Sequence, residues 1–385
     1  MSESKKKILT VLGARPQFIK AAAVSKALAK STLLNEEIIH TGQHFDQNMS
    51  EVFFREMGIP EPVVNLGLCG GSHSDLTARM LQAVHHEIIE RNPDCILVYG
   101  DTTNTLAGAL AGAKLKLPVA HVESGLRSFN RAMPEELNRI ITDHLSVLLF
   151  CPSDVAKKNL EREGIGNPEL NDTPGDPPFA DVPEIIVTGD VMADTIRIFG
   201  RDAQNRRGVL DMLGICDGSF ILATIHRPEN TDNPDNLRSI SRALGILAIQ
   251  DFPVILPLHP RTRKAAADYG IEFPCGVKVI EPLSYLDMLC LTGNAHCVIT
   301  DSGGLQKEAF LMGRPCVTMR AQTEWTETVD LGWNIVAGPD ENRIVQAYID
   351  ICARVSDKRE IPEKVYGDGY ASERIVEAIE KRLLR

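Results

Sequence analysis

Residues 95–127 read CILVYGDTTNTLAGALAGAKLKLPVAHVESGLR, and this stretch decides the fold. A short apolar run, Cys95–Tyr99, ends in the polar turn YGDTTN, and the Ala- and Leu-rich segment Thr105–Lys114 follows. A second short run, Val119–Val122, then ends in the turn HVESGLR. Short apolar runs alternating with longer amphipathic stretches are the pattern of a buried parallel sheet covered by helices. The unit recurs on either side. Further strands are expected at Lys7–Leu12, Glu37–Thr41 and Leu148–Cys151, and helices at Phe18–Lys30, Leu76–Arg91 and Glu135–Leu145. A second series is expected from Ile185–Val187 through Phe220–Thr224, Val254–Leu258, Val277–Ile280, Cys297–Thr300 and Cys316–Met319.

Two series of similar size predict an α/β chain of two Rossmann-like domains facing a cleft, residues 1–184 and 185–369, followed by a helix at 370–385. The division suits a length of 385 residues, since domains average roughly 100–200. Residues 166–183, GNPELNDTPGDPPFADVP, hold five prolines and four acidic residues without periodicity and read as a solvent-exposed insertion. Near the C-terminal end, a cap-like Ser372 precedes Ile375, Val376, Ile379 and Leu383 at helical spacing, so a helix that buries this stripe is expected.

Hydrophobic residues make up 43% and charged residues 24%, the balance of a folded globular protein. With 41 Lys+Arg against 52 Asp+Glu, a formal charge of −11, no general basic surface is available to nucleic acid or an anionic membrane. Any phosphate-bearing ligand must therefore be held by a local site. The nine cysteines form no CxxC pair and read as reduced residues of a cytoplasmic protein. No apolar stretch approaches the roughly 18 residues of a membrane span.

Ligands of open α/β sheets bind at the carboxyl ends of strands, so the turns carry the chemistry. After the first strand, GARPQFIK (13–20) sets a glycine turn, Arg15 and Lys20 at a helix start, where free N–H groups and cations suit a phosphate. Taken alone, the same turn also fits an ordinary strand-to-helix connection with two solvated cations. In the second series, TDSGGLQKE (300–308) brings Ser302, Gly303 and Gly304 to a helix start, with Glu308 placed to accept from a ribose diol. Asp101, Glu123 and Glu135 lie at or just past strand ends, where carboxylates of separated pKa divide acid and base roles, while Glu136 reads as a first-turn helix acid. His226 and His259 follow strands in HRPEN and LHPR. No cluster has metal-ligand spacing, and catalysis without metal or cofactor is expected.

In combination, GARPQFIK (13–20), TGQHFD (41–46), GDTTNTLAGALA (100–111), HVESGLRS (121–128), MPEELNR (133–139), HRPEN (226–230), LHPR (258–261) and DSGGLQKEA (301–309) resemble the non-hydrolysing UDP-N-acetylglucosamine 2-epimerases along almost the whole chain. The resemblance implies a GT-B-type glycosyltransferase fold whose last helix crosses back onto the first domain, and a homodimer. It also implies interconversion of UDP-GlcNAc and UDP-ManNAc by elimination of UDP to a 2-acetamidoglucal and re-addition. Such chemistry needs acid and base groups near C2, cations for the departing diphosphate, and a site that retains both fragments.

Carried onto matching positions, Asp101, Glu123 and Glu135 look like the acids and bases and His226 the histidine beside the diphosphate. Arg15 and Lys20 look like diphosphate contacts, with Ser302 and Gly303 as donors and Glu308 on the ribose. Gln43 and His44 resemble the pair that holds an activating second UDP-GlcNAc in some members. Thr323-Glu324-Trp325 stands where the family usually shows threonine-glutamate-arginine-proline, and RSFNRAMPEE (127–136) is a short connection. Both features look closer to the branch acting on UDP-2,3-diacetamido-2,3-dideoxyglucuronate, the alternative substrate. A GT-B glycosyltransferase would also use two Rossmann domains and a UDP site, and a non-catalytic nucleotide-sugar sensor is a third reading.

Overall fold

The computed structural model describes residues 5–42, 54–167, 182–204, 206–250, 252–355 and 365–384. Gln43, His44 and most of the 166–183 insertion lie outside the described residues. The chain divides into two compact units, Met1–Thr195 with Glu363–Arg385, and Ile196–Pro362.

The first unit holds strands β1 (Lys6–Leu12), β2 (Leu34–His40), β3 (Val64–Asn65), β4 (Cys95–Tyr99), β5 (Val119–Val122), β6 (Leu148–Cys151) and β7 (Glu184–Val187). They form one sheet in the order β3-β2-β1-β4-β5-β6-β7, and every pair is parallel. The second unit holds β8 (Ile221–Thr224), β9 (Val254–Pro257), β10 (Val277–Ile280), β11 (Cys297–Thr300), β12 (Cys316–Thr318) and β13 (Asn334–Val336). Their order, β10-β9-β8-β11-β12-β13, is parallel throughout. Counted from its own first strand, each sheet runs in the Rossmann order, so two Rossmann-like domains bear out the α/β reading. Each sheet reverses direction of growth once, between β1 and β4 and between β8 and β11.

The central strands carry no polar face because helices cover both sides of a parallel sheet: Cys95–Tyr99 and Cys297–Thr300 are buried along their whole length. In the first unit Leu9, Val11, Ile96 and Val98 pack with Val84, Ile88 and Ala109. In the second, Ile221, Ala223, Leu256 and Ile299 pack with Leu237, Ile240, Leu244 and Ile351.

Ile185–Val187 does not open the second series. It is part of β7, paired in register with Leu148–Cys151 at the edge of the first sheet, and the first unit runs on to Thr195. A short run that is only partly covered carries no local mark of which sheet it joins. Strand β13, three residues long, lay below what alternation reveals.

The C-terminal helix Ala371–Leu383 belongs to the first unit, with Ile375, Val376 and Ile379 buried. Ser372 is not its cap. Asp194 accepts instead from the amides of Ala371 (3.0 Å) and Ser372 (2.6 Å) and from the Ser372 hydroxyl. Burial raises the Asp194 carboxyl above its ordinary range despite these donors. No described helix is long and apolar enough to cross a membrane, and all nine cysteines are free thiols.

Candidate active site

One buried side chain stitches the reversal point of the first sheet. Gln17 Oε1 accepts from the amides of Gly13 (2.9 Å) and Ala14 (3.0 Å) and from Asn104 Nδ2 (2.9 Å). Its Nε2 donates to the Tyr99 carbonyl (2.9 Å) and to the hydroxyls of Thr102 and Thr105 (3.0 Å each). This corrects the expectation that the first turn offers its amides to phosphate. Those of Gly13 and Ala14 are consumed within the turn, and the half-buried Arg15 is the first residue of the helix that follows.

At the end of β4, Gly100 turns the chain with φ +64°, a left-handed conformation that glycine adopts without strain. A Cβ there would lie 3.4 Å from Glu123 Oε2 and 3.5 Å from Lys20 Nζ, so the β4 turn, the end of β5 and the helix Arg15–Leu28 converge at this point. The Lys20 ammonium bonds the Glu123 carboxylate, and both side chains are largely buried. Arg139 bonds the Asp101 carboxylate and that of Glu136 (2.9 Å), and Asn138 Nδ2 donates to the Asp101 carbonyl (2.9 Å). Glu123 has φ +72°, a conformation that costs a non-glycine residue about 1–3 kcal/mol and persists only where its surroundings impose it. Here the amides of Glu123 and Ser124 both donate to the Phe150 carbonyl at 3.1 Å.

The two adjacent glutamates have different roles. Glu136 is buried, and its carboxylate accepts from the Ser128 amide and hydroxyl and the Phe129 amide, each at 2.9 Å. Burial pushes its carboxyl up, but Ser128, Arg139 and Phe129 outweigh it and hold the group below its usual range. Glu136 therefore shapes the 128–129 turn as well as meeting the helix dipole. Glu135 is partly exposed and makes no hydrogen bond or ion pair among the described residues.

In the second unit Asp301, fully buried past the end of β11, is committed to the turn after β8. It accepts from the amides of His226 (3.1 Å) and Arg227 (3.0 Å), from Asn230 Nδ2 (3.0 Å), and meets His226 Nδ1 at 3.2 Å. Burial raises its carboxyl, but His226 and these amides together hold it below the ordinary range. With Nδ1 engaged, half-exposed His226 has Nε2 for a ligand. His259, 6.3 Å away between ring centroids, is exposed and accepts the Arg261 amide at 3.2 Å. Ser302 caps the helix Gly303–Leu311 by accepting from the Leu305 amide (3.4 Å), and the amides of Gly303 and Gly304 are the donors that a helix start leaves without intrahelical partners.

A Cβ on residue 303 would come within 2.5 Å of Glu324 Oε1, so a side chain there would have to displace the Glu324 carboxylate. Glu324 is held by Arg320 (2.9 Å), Thr323 donates to Gln306 (2.7 Å), and Lys307 Nζ lies 4.0 Å from the centroid of the Trp325 ring. Glu308 is buried in the second turn of the same helix.

Asp101, Glu123 and Lys20 thus gather in the first unit, and His226, His259 and the Ser302–Gly304 turn lie at strand ends of the second. The sequence reading missed the roles of Gln17, Arg139 and Asp301. One signal for Arg139 existed: Glu136, Arg139 and Asp143 recur at three- and four-residue spacing along Pro134–Leu145, and the helix turns Glu136 and Asp143 inward. Among the described residues no group of three or more His, Cys, Asp or Glu is placed to hold a metal ion. Chemically, the first unit offers carboxylates paired with cations, and the second offers amide, hydroxyl and imidazole donors to an anion.

Comparison with known proteins gives a consistent result. The family model described as UDP-N-acetylglucosamine 2-epimerase matches residues 26–380. The UDP-2,3-diacetamido-2,3-dideoxy-D-glucuronate 2-epimerase of Pseudomonas aeruginosa is 48% identical over 97% of this chain and 99% of its own. The crystal structure of Methanocaldococcus jannaschii UDP-GlcNAc 2-epimerase in complex with UDP-GlcNAc and UDP superposes with a TM-score of 0.85 at 37% identity, covering 97% of this chain and 99% of that one. The Neisseria meningitidis UDP-GlcNAc 2-epimerase bound to UDP-GlcNAc gives 0.83 at 31% identity, covering 97% and 100%.

Proposed function

The chain belongs to the UDP-N-acetylglucosamine 2-epimerase family, isomerases of UDP-sugars, and from that premise we propose that it inverts C2 of UDP-2,3-diacetamido-2,3-dideoxyglucuronate. The observation that carries the chemistry is the pair of carboxylate–cation contacts around Gly100, Lys20 with Glu123 and Arg139 with Asp101. The C2 hydrogen is not next to a carbonyl, so its direct removal would leave an unstabilised carbanion. A carboxylate takes the C2 proton, the C2–H electrons form the C1=C2 bond, and the C1–O bond breaks with its electrons leaving on UDP. A carboxyl on the other face then returns a proton to C2 while the UDP oxygen rebonds to C1. Asp101, Glu123 and Glu135 supply these groups.

The departing diphosphate is held by the amides of Gly303 and Gly304, the Ser302 hydroxyl, His226 Nε2, His259 and Arg15, with Glu308 on the ribose. Lys20, expected at the diphosphate, acts in this reading through Glu123. The diacetamido-glucuronate substrate is supported by the relative at 48% identity and by Thr323-Glu324-Trp325, held on helix Gly303–Leu311 through Gln306 and Lys307. UDP-GlcNAc, the first substrate expected from the sequence, is the second reading, favoured by the UDP-GlcNAc-bound structures at 37% and 31% identity. A glycosyltransferase would have no use for the paired carboxylates. The unpaired thiols support work in a reducing cytoplasm, on precursors of surface polysaccharide, and the assembly proposed is a homodimer that light scattering tests.

Proton NMR in D₂O with each UDP-sugar tests the reading. Deuterium entering C2 of the diacetamido-glucuronate with the UDP linkage intact is expected. Exchange of UDP-GlcNAc alone selects the second substrate, and release of UDP without exchange overturns epimerisation.

A further inference from the structure

We propose that His121, unused in the chemistry above, is a positioning residue: a buried ring, hydrogen-bonded at both nitrogens, that fixes the Gly100–Asp101 turn under the catalytic carboxylates. The inference rests on the epimerase reading. His121 lies in β5 and is wholly buried. Its Nε2 is 2.7 Å from the Gly100 carbonyl oxygen, which only accepts, so Nε2 carries a hydrogen. Its Nδ1 is 2.7 Å from Asp143 Oδ1, and the other oxygen of Asp143 accepts from the Arg127 guanidinium (2.7 Å) and the Gly125 amide (3.2 Å). Burial works against ionisation of Asp143, but His121 and Arg127 overcome it and hold the carboxyl below its usual range. Both ring nitrogens are therefore engaged, Nε2 by a carbonyl and Nδ1 by a carboxyl group.

The surrounding charges are balanced. Arg127 continues to Glu163 at 2.7 Å, and the Lys20–Glu123 pair sits on the far side of Gly100. Cys151, the thiol facing Asp143 from β6, is pushed by burial up to about 12 and stays neutral. The ring completes a clamp on two consecutive peptides. Gly100 donates its amide to the Val122 carbonyl (3.0 Å) and gives its own carbonyl to His121, and the Asp101 carbonyl is taken by Asn138 (2.9 Å). With both carbonyls pinned, the Asp101 carboxylate is confined to its side-chain torsions. A buried polar network is a costly way to fill a core, and an apolar residue of similar volume would stabilise as well, so the use of the ring is to hold geometry.

The test is His121→Asn, which retains a donor for one of the two partners only, assayed by C2 exchange in D₂O with the substrate that wild type turns over. The expected result is a kcat lower by about 100-fold, the cost of a small misplacement of a reacting group, with KM and UDP affinity near wild type and a lowered thermal midpoint, since one buried partner loses its bond. A folded variant with wild-type kcat, or one whose KM alone rises, overturns the proposal. A second measurement needs no variant: ¹⁵N spectra of histidine-labelled wild type should show Nε2 of His121 carrying the hydrogen that the Gly100 carbonyl accepts, and a bare Nε2 overturns the clamp. Absence of C2 exchange in wild type itself strikes the epimerase reading, whereas normal wild type beside an undiminished variant strikes the clamp alone.

Discussion

The two units share a strand order and a point of reversal, yet furnish that point in opposite ways. In the first, the carboxylates at the strand ends are each matched by a cation, Lys20 to Glu123 and Arg139 to Asp101. In the second, the carboxylate Asp301 is turned inward to bind two amides and the His226 ring, and donors are left at the surface. A carboxylate that is to exchange protons with a substrate has to be reachable. One that organises an anion site has to be removed from it, since an exposed negative charge would repel the diphosphate. In the proposed reading, one architecture thus serves proton transfer in one copy and anion binding in the other.

The sharpest way to break this comparison is to remove a carboxylate from the first unit. Asp101→Asn or Glu123→Gln should lower C2 exchange by about 10²–10⁴-fold, the usual range for a lost general acid or base. UDP affinity measured by calorimetry should stay close to wild type, and a large loss of UDP binding would erase the division between the units. Lys20→Met comes next. Because Lys20 bonds Glu123, kcat should fall by about 100-fold while UDP affinity changes little. A tenfold weaker UDP complex with kcat retained would return Lys20 to the diphosphate.

Asp301→Asn probes the second unit. Losing charge-assisted bonds worth about 1.5–3 kcal/mol each should weaken UDP binding by at least tenfold, with turnover at saturating substrate largely kept. The smallest effect is on acid stability. Asp301 and Asp143 lie below the ordinary carboxylate range in the folded chain, so the unfolded chain takes up their protons first. Their stabilisation is complete above an unfolded value of about 3.9 and is lost as pH falls through the lower folded values. Asp194, raised by burial, has the opposite sign: its contribution is full at low pH and is lost as pH rises through its folded value. Urea unfolding of Asp301→Asn between pH 3 and 6 should show a shallower acid limb than wild type, and an unchanged limb would remove Asp301 as its source.

Much of this was legible in the residues. The run 95–127 carries a strand, a turn, a helix, a strand and a turn in one reading, because strand and helix periods are local properties of the chain. Asp101, Glu123, His226 and Ser302 could be singled out because strand ends are where a parallel sheet exposes side chains, and the structure places all four at or just past strand ends. Composition, strand and helix alternation and the position of these candidate groups at strand ends were thus determined by the sequence alone. The long-range partners of the charged groups were decided only by the tertiary structure. Lys20 and Glu123 are 103 residues apart, and Asp101 and Arg139 are 38 apart. The same holds for Gln17, which closes a turn against residues 82–88 positions away, for β7, which an edge position assigned to the first sheet, and for Asp194, which caps a helix 177 residues on. Periodicity is set by neighbours along the chain, whereas an ion pair forms only after folding has brought distant strand ends together and excluded the water that would otherwise solvate both charges.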